Sequence, residues 1–182
     1  MRISIGIKSR FERLEAFTRR HWIVIRSWLL FIVTLGLWLL WYPAIVDAGA
    51  LNGFLRFTAR ITGFVLGILG AQIEVDGTLI TSADFMMRIG HECTAIVPAV
   101  ILLCATIAYP SRIRDKLLCL AIGLPVLFVL NLVRTVTLYY IGRSIPDFFD
   151  IAHFVVWQSA MILAVIVLWL LWVGKVVNVR QA

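Results

Sequence analysis

A chain of 182 residues is long enough for one domain, but 62% of it is hydrophobic, only 15% is charged, and its mean hydropathy is +0.96. Soluble domains average about 45–50% apolar and about 25% charged residues, so this chain could not cover its own core with polar surface. The net charge of +7 therefore reads as the basic cytoplasmic loops of an integral membrane protein rather than as a nucleic-acid-binding face.

Residues 1–21 carry six Lys/Arg against two Glu, and residues 22–42 then run apolar with Arg26 as their only charge. About 20 apolar residues cross the hydrocarbon core, and a signal-peptide apolar region is only about 7–15 long, so a retained anchor is favoured over a cleaved leader ending at Ala48-Gly49-Ala50. Residues 51–71 are long enough to span, yet Arg56 and Arg60 lie one turn apart on one face. Gly63, Gly67 and Gly70 offer small-residue packing there. In QIEVDGTLI, apolar residues alternate around Asp76-Gly77, which predicts a short β-hairpin. Three further spans are predicted at 95–109, 117–140 and 152–173; the first contains Pro98, which a membrane helix tolerates when neighbours satisfy the freed carbonyl.

The connecting charges choose the topology. SRIRDK (111–116) and the tail GKVVNVRQA (174–182) are basic, whereas IGRSIPDFFD (141–150) is net negative. Five crossings would put these basic segments at odds with one another. Four crossings, with 51–71 interfacial or re-entrant, place every basic segment in the cytoplasm. The expectation is an all-α integral membrane protein, a single domain over 1–182 with about four transmembrane helices and a short extracytoplasmic β-hairpin. Both termini are then cytoplasmic, in the inner membrane of the cell.

Depth can be counted from the cytoplasmic loops. Cys93 precedes Arg112 by 19 residues, Arg134 follows Lys116 by 18, and His153 precedes Lys175 by 22. At helical rise these separations are about 28, 27 and 33 Å, so three spans deliver Cys93, Arg134 and His153 to one outer level. Each has a bland explanation: a snorkelling arginine, an interfacial histidine, a small buried thiol like Cys104 and Cys119. Asn131, one turn before Arg134, gives that face a second polar group and argues that it points inward. Asp150 stands three residues before His153, where it can hold the ring's tautomer.

Together the three residues suit acyl transfer. A cationic neighbour lowers a thiol's pKa from about 8.5, histidine takes and returns the proton, and a fixed arginine holds a developing oxyanion. The cysteines form no C-x-x-C pair, HEC at 91–93 lacks the second His of a zinc helix because Ala95 stands at i+4, and no phosphate-binding loop occurs, so neither a cofactor nor a metal is indicated. Glu92 and His91 flank the thiol as tuning or substrate-contacting groups, or simply as a solvated approach to the helix. Arg56, Arg60 and Arg88 suit lipid headgroups.

Three blocks, GHECTAIVPAVILLCATIAYPSRIRDK, NLVRTVTLYYIG and FFDIAHFVVWQ, together with the preceding IEVDGTLI, resemble the exosortase/archaeosortase family over residues 73–158. The family pattern is a Cys opening a membrane helix, an Arg late in the next helix after an Asn, and a His opening the one after. On this chain it falls on Cys93, Arg134 and His153. The chain is most similar to the compact bacterial exosortases, such as the H type, although Cys93-Thr94-Ala95 departs from the usual Cys-Ser/Thr-Gly. The resemblance implies a membrane cysteine transpeptidase or protease. Its substrates would be membrane-anchored proteins with a C-terminal sorting signal, made of a Pro-containing motif, a transmembrane helix and a basic tail. A cysteine acyl-enzyme would pass the new C-terminus to an acceptor nucleophile. The alternatives are a non-enzymatic assembly factor or transporter subunit, insensitive to loss of Cys93, and a four-helix thiol oxidoreductase, which the wide cysteine spacings argue against.

Overall fold

A computed structural model describes residues 3–181, with side chains for residues 21–22 and 24–176. The side chains of the basic N-terminal residues 1–20 and of Arg180 in the tail lie outside the described residues. In chain order the elements are α1 (Ile3–Asp47), α2 (Asn52–Ile68), β1 (Glu74–Asp76), β2 (Leu79–Thr81), β3 (Met86–Arg88), α3 (Ile96–Ala108), α4 (Ile113–Ser144) and α5 (Trp157–Gln181). A 3₁₀ turn at His91–Cys93 precedes α3, another at Pro146–Phe148 follows α4, and a π-helical segment at Ile151–Val156 leads into α5.

Three described helical stretches are long and apolar enough to cross a membrane: Val24–Asp47, Ile113–Ser144 and Pro146–Val176. The chain is a membrane protein, mostly helical, with a small sheet. The predicted span at 95–109 is shorter than expected, because α3 has only 13 residues, about 20 Å of helix. Its ends are set by local chemistry. Thr94 is extended at φ −115°, ψ 156°, and Tyr109 is extended at φ −74°, ψ 132° because Pro110 forbids the helical conformation before it. Pro98 falls in the first turn of α3, where its missing N–H leaves no carbonyl unsatisfied.

Residues 51–71 become α2, 17 residues long with Leu55, Thr58, Ala59, Thr62, Gly63 and Leu66 buried. Phe54 and Phe57 pack on Phe128, at 6.3 and 5.8 Å between ring centroids, and Thr62 hydrogen-bonds Thr135 at 3.1 Å. Advancing along α2 therefore advances along α4, and the two helices run side by side in the same direction. Arg56 and Arg60 lie on the exposed side. Gly63 faces Val75 and Ile73, where a Cβ would overlap the Val75 side chain; Gly67 meets nothing, and Gly70 turns the chain out of α2 at φ +86°.

The expected hairpin forms with Gly77 at φ +60°, pairing Val75 with Ile80. It is one half of a three-stranded antiparallel meander, because β3 pairs with β2 and sets Ile80 opposite Met87. Alternation in FMMRI, with Met87 and Ile89 buried and Met86 and Arg88 exposed, is the signal for this third strand. The sheet is fastened to the end of α4 by Phe85 against Gly142, where a Cβ would overlap the phenyl ring, and by an exposed ion pair of Arg143 with Asp84 at 3.2 Å.

Two buried clusters result. One joins α2, the sheet, the upper part of α4 and Ala152, and includes Cys93. The other is the helical bundle of α3, α4 and α5, built on Leu102, Leu127, Met161 and Val165. Cys93 sits where the two meet.

Candidate active site

Cys93 is not the first residue of a helix, as the family resemblance implies, but the last of a 3₁₀ turn. Its N–H bonds the Gly90 carbonyl at 3.1 Å, and Thr94 closes the turn through both its N–H and its hydroxyl, which donate to the His91 carbonyl at 3.2 and 2.7 Å. The Asn131 side-chain amide donates to the Cys93 carbonyl at 2.9 Å across the interior, and Asn131 is only 1% exposed. The polar face of α4 thus fixes the turn that carries the thiol.

His153 comes from the π segment. Its Nε2 lies 3.6 Å from the Cys93 Sγ, with both residues 7% exposed. A π turn widens the helix by one residue per turn and re-aims the side chains on it, a device frequent at functional sites. The ring is held by aromatic neighbours: Phe149 stacks at 5.8 Å and Phe154 meets it edge-on at 4.5 Å. The expected hydrogen bond from the His153 ring N–H to the Asp150 carboxylate is not made among the described residues. Asp150 is exposed, because the π turn rotates His153 toward Cys93 and away from the side chain three residues earlier.

Arg134 is 2% exposed, yet among the described residues no hydrogen bond or ion pair takes up its donors, and its Nε is buried without a partner. Buried polar groups are overwhelmingly paired, so an unpaired buried guanidinium marks a place for an incoming acceptor. It lines a cavity of about 620 Å³ together with His91, Glu92, Thr94, Tyr42 and Phe154. Glu92 and Arg134 both lie close enough to Cys93 for their charges to act on it.

The cationic neighbour was expected to lower the thiol pKa. Instead, burial pushes the Cys93 thiol above the ordinary range, and the Glu92 charge adds to this; the Gly90 backbone hydrogen bond and Arg134 pull the other way without prevailing. Desolvation penalises the thiolate more than one arginine rewards it. Burial thus favours the neutral form of the Cys93 thiol, which lies 3.6 Å from the His153 imidazole.

The structure therefore sets Cys93 against His153 and Asn131, puts Arg134 and Glu92 in the wall of the neighbouring cavity, and leaves Asp150 exposed. Tyr42, Asp47 and Gln158 also line the wall. The sequence gives no signal for the first two, since nothing in it says which side of α1 meets α3.

These features define a class: a helical membrane protein with a buried thiol–imidazole pair and an unpaired arginine at the head of its bundle. The family model for transmembrane exosortases matches residues 21–173, and the chain belongs to that family. No curated protein and no solved structure matches it.

Proposed function

We propose that the protein is a membrane cysteine transpeptidase or protease that cleaves C-terminal sorting signals of exported membrane proteins. The observation that carries this reading is the 3.6 Å approach of Cys93 Sγ to His153 Nε2 beside the unpaired, buried Arg134. As Sγ attacks the scissile carbonyl carbon, its proton passes to Nε2, so a neutral resting thiol suffices. Arg134 donates to the carbonyl oxygen as it becomes an oxyanion, in a site where water competes little. Collapse of the tetrahedral intermediate breaks the C–N bond, the departing amine takes the proton from His153, and a thioester remains on Cys93. An incoming acceptor nucleophile, activated by the same imidazole, then resolves the thioester. Asn131 positions the Cys93 turn, and Glu92 lines the path to it.

In the membrane, α1, α4 and α5 cross, and α3 completes a fourth crossing with its extended flanks. About 20 Å of helix plus roughly three extended residues at about 3.3 Å each reaches the thickness of the hydrocarbon core. α2, which runs parallel to α4, is re-entrant. The basic segments then lie in the cytoplasm of the inner-membrane protein, and the sheet and Cys93 lie at the extracytoplasmic face.

The test compares C-terminal peptides of membrane proteins, by mass spectrometry, in cells carrying the wild-type chain or Cys93→Ala. The reading expects a set of proteins that keep a Pro-containing motif, apolar helix and basic tail only in the Cys93→Ala cells. Unchanged C-termini with both proteins expressed overturn it.

A further inference from the structure

One side of α2 carries a stripe whose order is inverted for a helix rising out of hydrocarbon. Arg56, Arg60, Phe64 and Ile68 follow one another at four-residue spacing, and all four are exposed. The arginines are one turn apart, and among the described residues neither makes a hydrogen bond or an ion pair with another residue. The level of the stripe follows from its packing on α4. Phe57 lies beside Phe128, and Thr62 bonds Thr135, so Arg56 stands level with Phe128 and Arg60 with Leu132. These positions are 12 and 16 residues beyond Lys116, or about 18 and 24 Å along α4. The hydrocarbon core of a bilayer is about 30 Å thick.

A flat bilayer around this bundle therefore leaves both guanidinium groups in hydrocarbon. Snorkelling does not rescue them. A helical side chain leaves the backbone tilted toward the helix N-terminus, and the N-terminus of α2 is its deep end, so both arginines set out away from the outer headgroups. The next residues outward on the stripe are Phe64 and Ile68, 70% and 69% exposed, which offer no acceptor. The length of α3 points the same way, since its 13 residues make only about 20 Å of helix. Asn131, which bonds the Cys93 carbonyl, is the neighbour of Leu132, so Arg60 and the thiol-bearing turn share one level.

We propose that Arg56 and Arg60 form a binding site for the phosphate of an outer-leaflet phospholipid, and that phosphate held there draws the membrane surface down to the level of Cys93. Phosphate suits two guanidinium groups one turn apart, because each planar fork pairs with two of its oxygens. A phospholipid is selected by what lies beneath. On the face of α4 that carries Phe128, Leu124 and Leu117 continue the line toward the cytoplasm, and both are exposed. The space under the deep end of α2 is therefore apolar and open, so it takes the acyl chains of a lipid whose phosphate sits on the arginines. A lipid bound in this way closes the mismatch between the short span and the bilayer by local thinning. It brings water and headgroups to the turn that carries the thiol without opening the bundle. The proposal rests on the membrane placement given above, with the basic segments in the cytoplasm, and not on the chemistry at Cys93.

The test places the purified protein in liposomes and follows labelling of Cys93 by a charged methanethiosulfonate added outside, read by mass spectrometry of the Cys93 peptide. Wild type, the double variant Arg56→Gln/Arg60→Gln and, as a control, Arg88→Gln at an exposed arginine of β3 are compared in thin dimyristoleoyl and thick dierucoyl phosphatidylcholine. The charges that act on the thiol include Arg134 and Glu92 but neither of the exchanged arginines, so a changed rate reports access. Wild type and Arg88→Gln should label alike in both lipids. The double variant should match wild type in the thin bilayer and label about tenfold or more slowly in the thick one, the scale set by two arginines each attracting the headgroup layer. In vesicles of digalactosyldiacylglycerol, which lacks phosphate, wild type should slow as the double variant does, and inorganic phosphate should not restore the rate. Equal labelling of wild type and double variant in the thick bilayer overturns the proposal. Equal slowing of the double variant in both thicknesses also overturns it, by marking a role in the fold, and recovery with inorganic phosphate does so by marking a free-anion site. Should the double variant fail to fold, the exchange of phospholipid for glycolipid around the wild type decides alone. In right-side-out membrane vesicles the same reagent should reach Cys93 from outside. Labelling only from the cytoplasmic side sinks the membrane placement and this proposal with it; labelling from outside that ignores lipid phosphate sinks the phosphate site alone.

Discussion

Asn131 is the sharpest place to test how the site is held. Its amide donates 2.9 Å to the Cys93 carbonyl, and the pair is buried. Asn131→Leu keeps the bulk and removes the donor, leaving a buried carbonyl unsatisfied at a cost of about 1–3 kcal/mol. The Asn131 Oδ1 is itself buried without a partner, and its removal offsets part of that cost. A net loss of about 1–2 kcal/mol concentrated on the Cys93 turn makes the ordered turn about 5–30-fold less populated relative to its displaced forms. Processing of a substrate by the purified protein in liposomes should fall by a similar factor. Asn131→Asp retains the shape, cannot donate when ionised, and brings a negative charge toward the thiol, so it should lose at least as much. Asn131→Leu and Asn131→Asp proteins that both process within twofold of wild type would refute the positioning role.

Other outcomes follow from the same geometry. Arg134→Lys exchanges a planar fork for a point charge and should lower processing by about 10²–10³-fold, as removing an oxyanion donor does; a rate near wild type would remove Arg134 from that role. Because burial holds the Cys93 thiol above the ordinary range, the thiolate fraction, and with it iodoacetamide labelling, should rise with pH at a midpoint above that of a free thiol at about 8.5. Glu92→Gln removes a charge that raises the pKa, so its labelling curve should move to lower pH, and a shift to higher pH would contradict the electrostatics. Gly142→Val pushes a side chain into the Phe85 ring and should lower thermal stability by about 1–3 kcal/mol through overpacking; unchanged melting would mean that the sheet is not docked there.

Much of the fold was legible because membrane burial writes itself into composition. The long apolar runs at 22–42, 117–140 and 152–173 all fall within helices of spanning length. α3 came out short because its limits depend on two local conformations, the extended Thr94 and the pre-proline Tyr109, which an apolar run does not reveal. For the site, counting helical rise from basic loops put Cys93, Arg134 and His153 at one level; in the structure Cys93 lies against His153 and within reach of the charge of Arg134, which lines the neighbouring cavity. Rotation about each helix axis was not legible in the same way. The π turn that swings His153 toward Cys93 and leaves Asp150 outside has no sequence periodicity of its own. The balance of burial against one arginine at Cys93 depends on packing by α2, the sheet and α4 together, so the direction of the thiol pKa needed the tertiary structure.

The central claim is that Cys93 carries the acyl group. Purified wild-type protein in liposomes, mixed with a substrate found by the C-terminal comparison and quenched in acid, can be digested and read by mass spectrometry. The account predicts a peptide containing Cys93 joined as a thioester to the cleaved segment of the substrate, released by hydroxylamine and absent with Cys93→Ala. Cleavage that continues in the Cys93→Ala protein, with no adduct on the wild-type thiol, would contradict it.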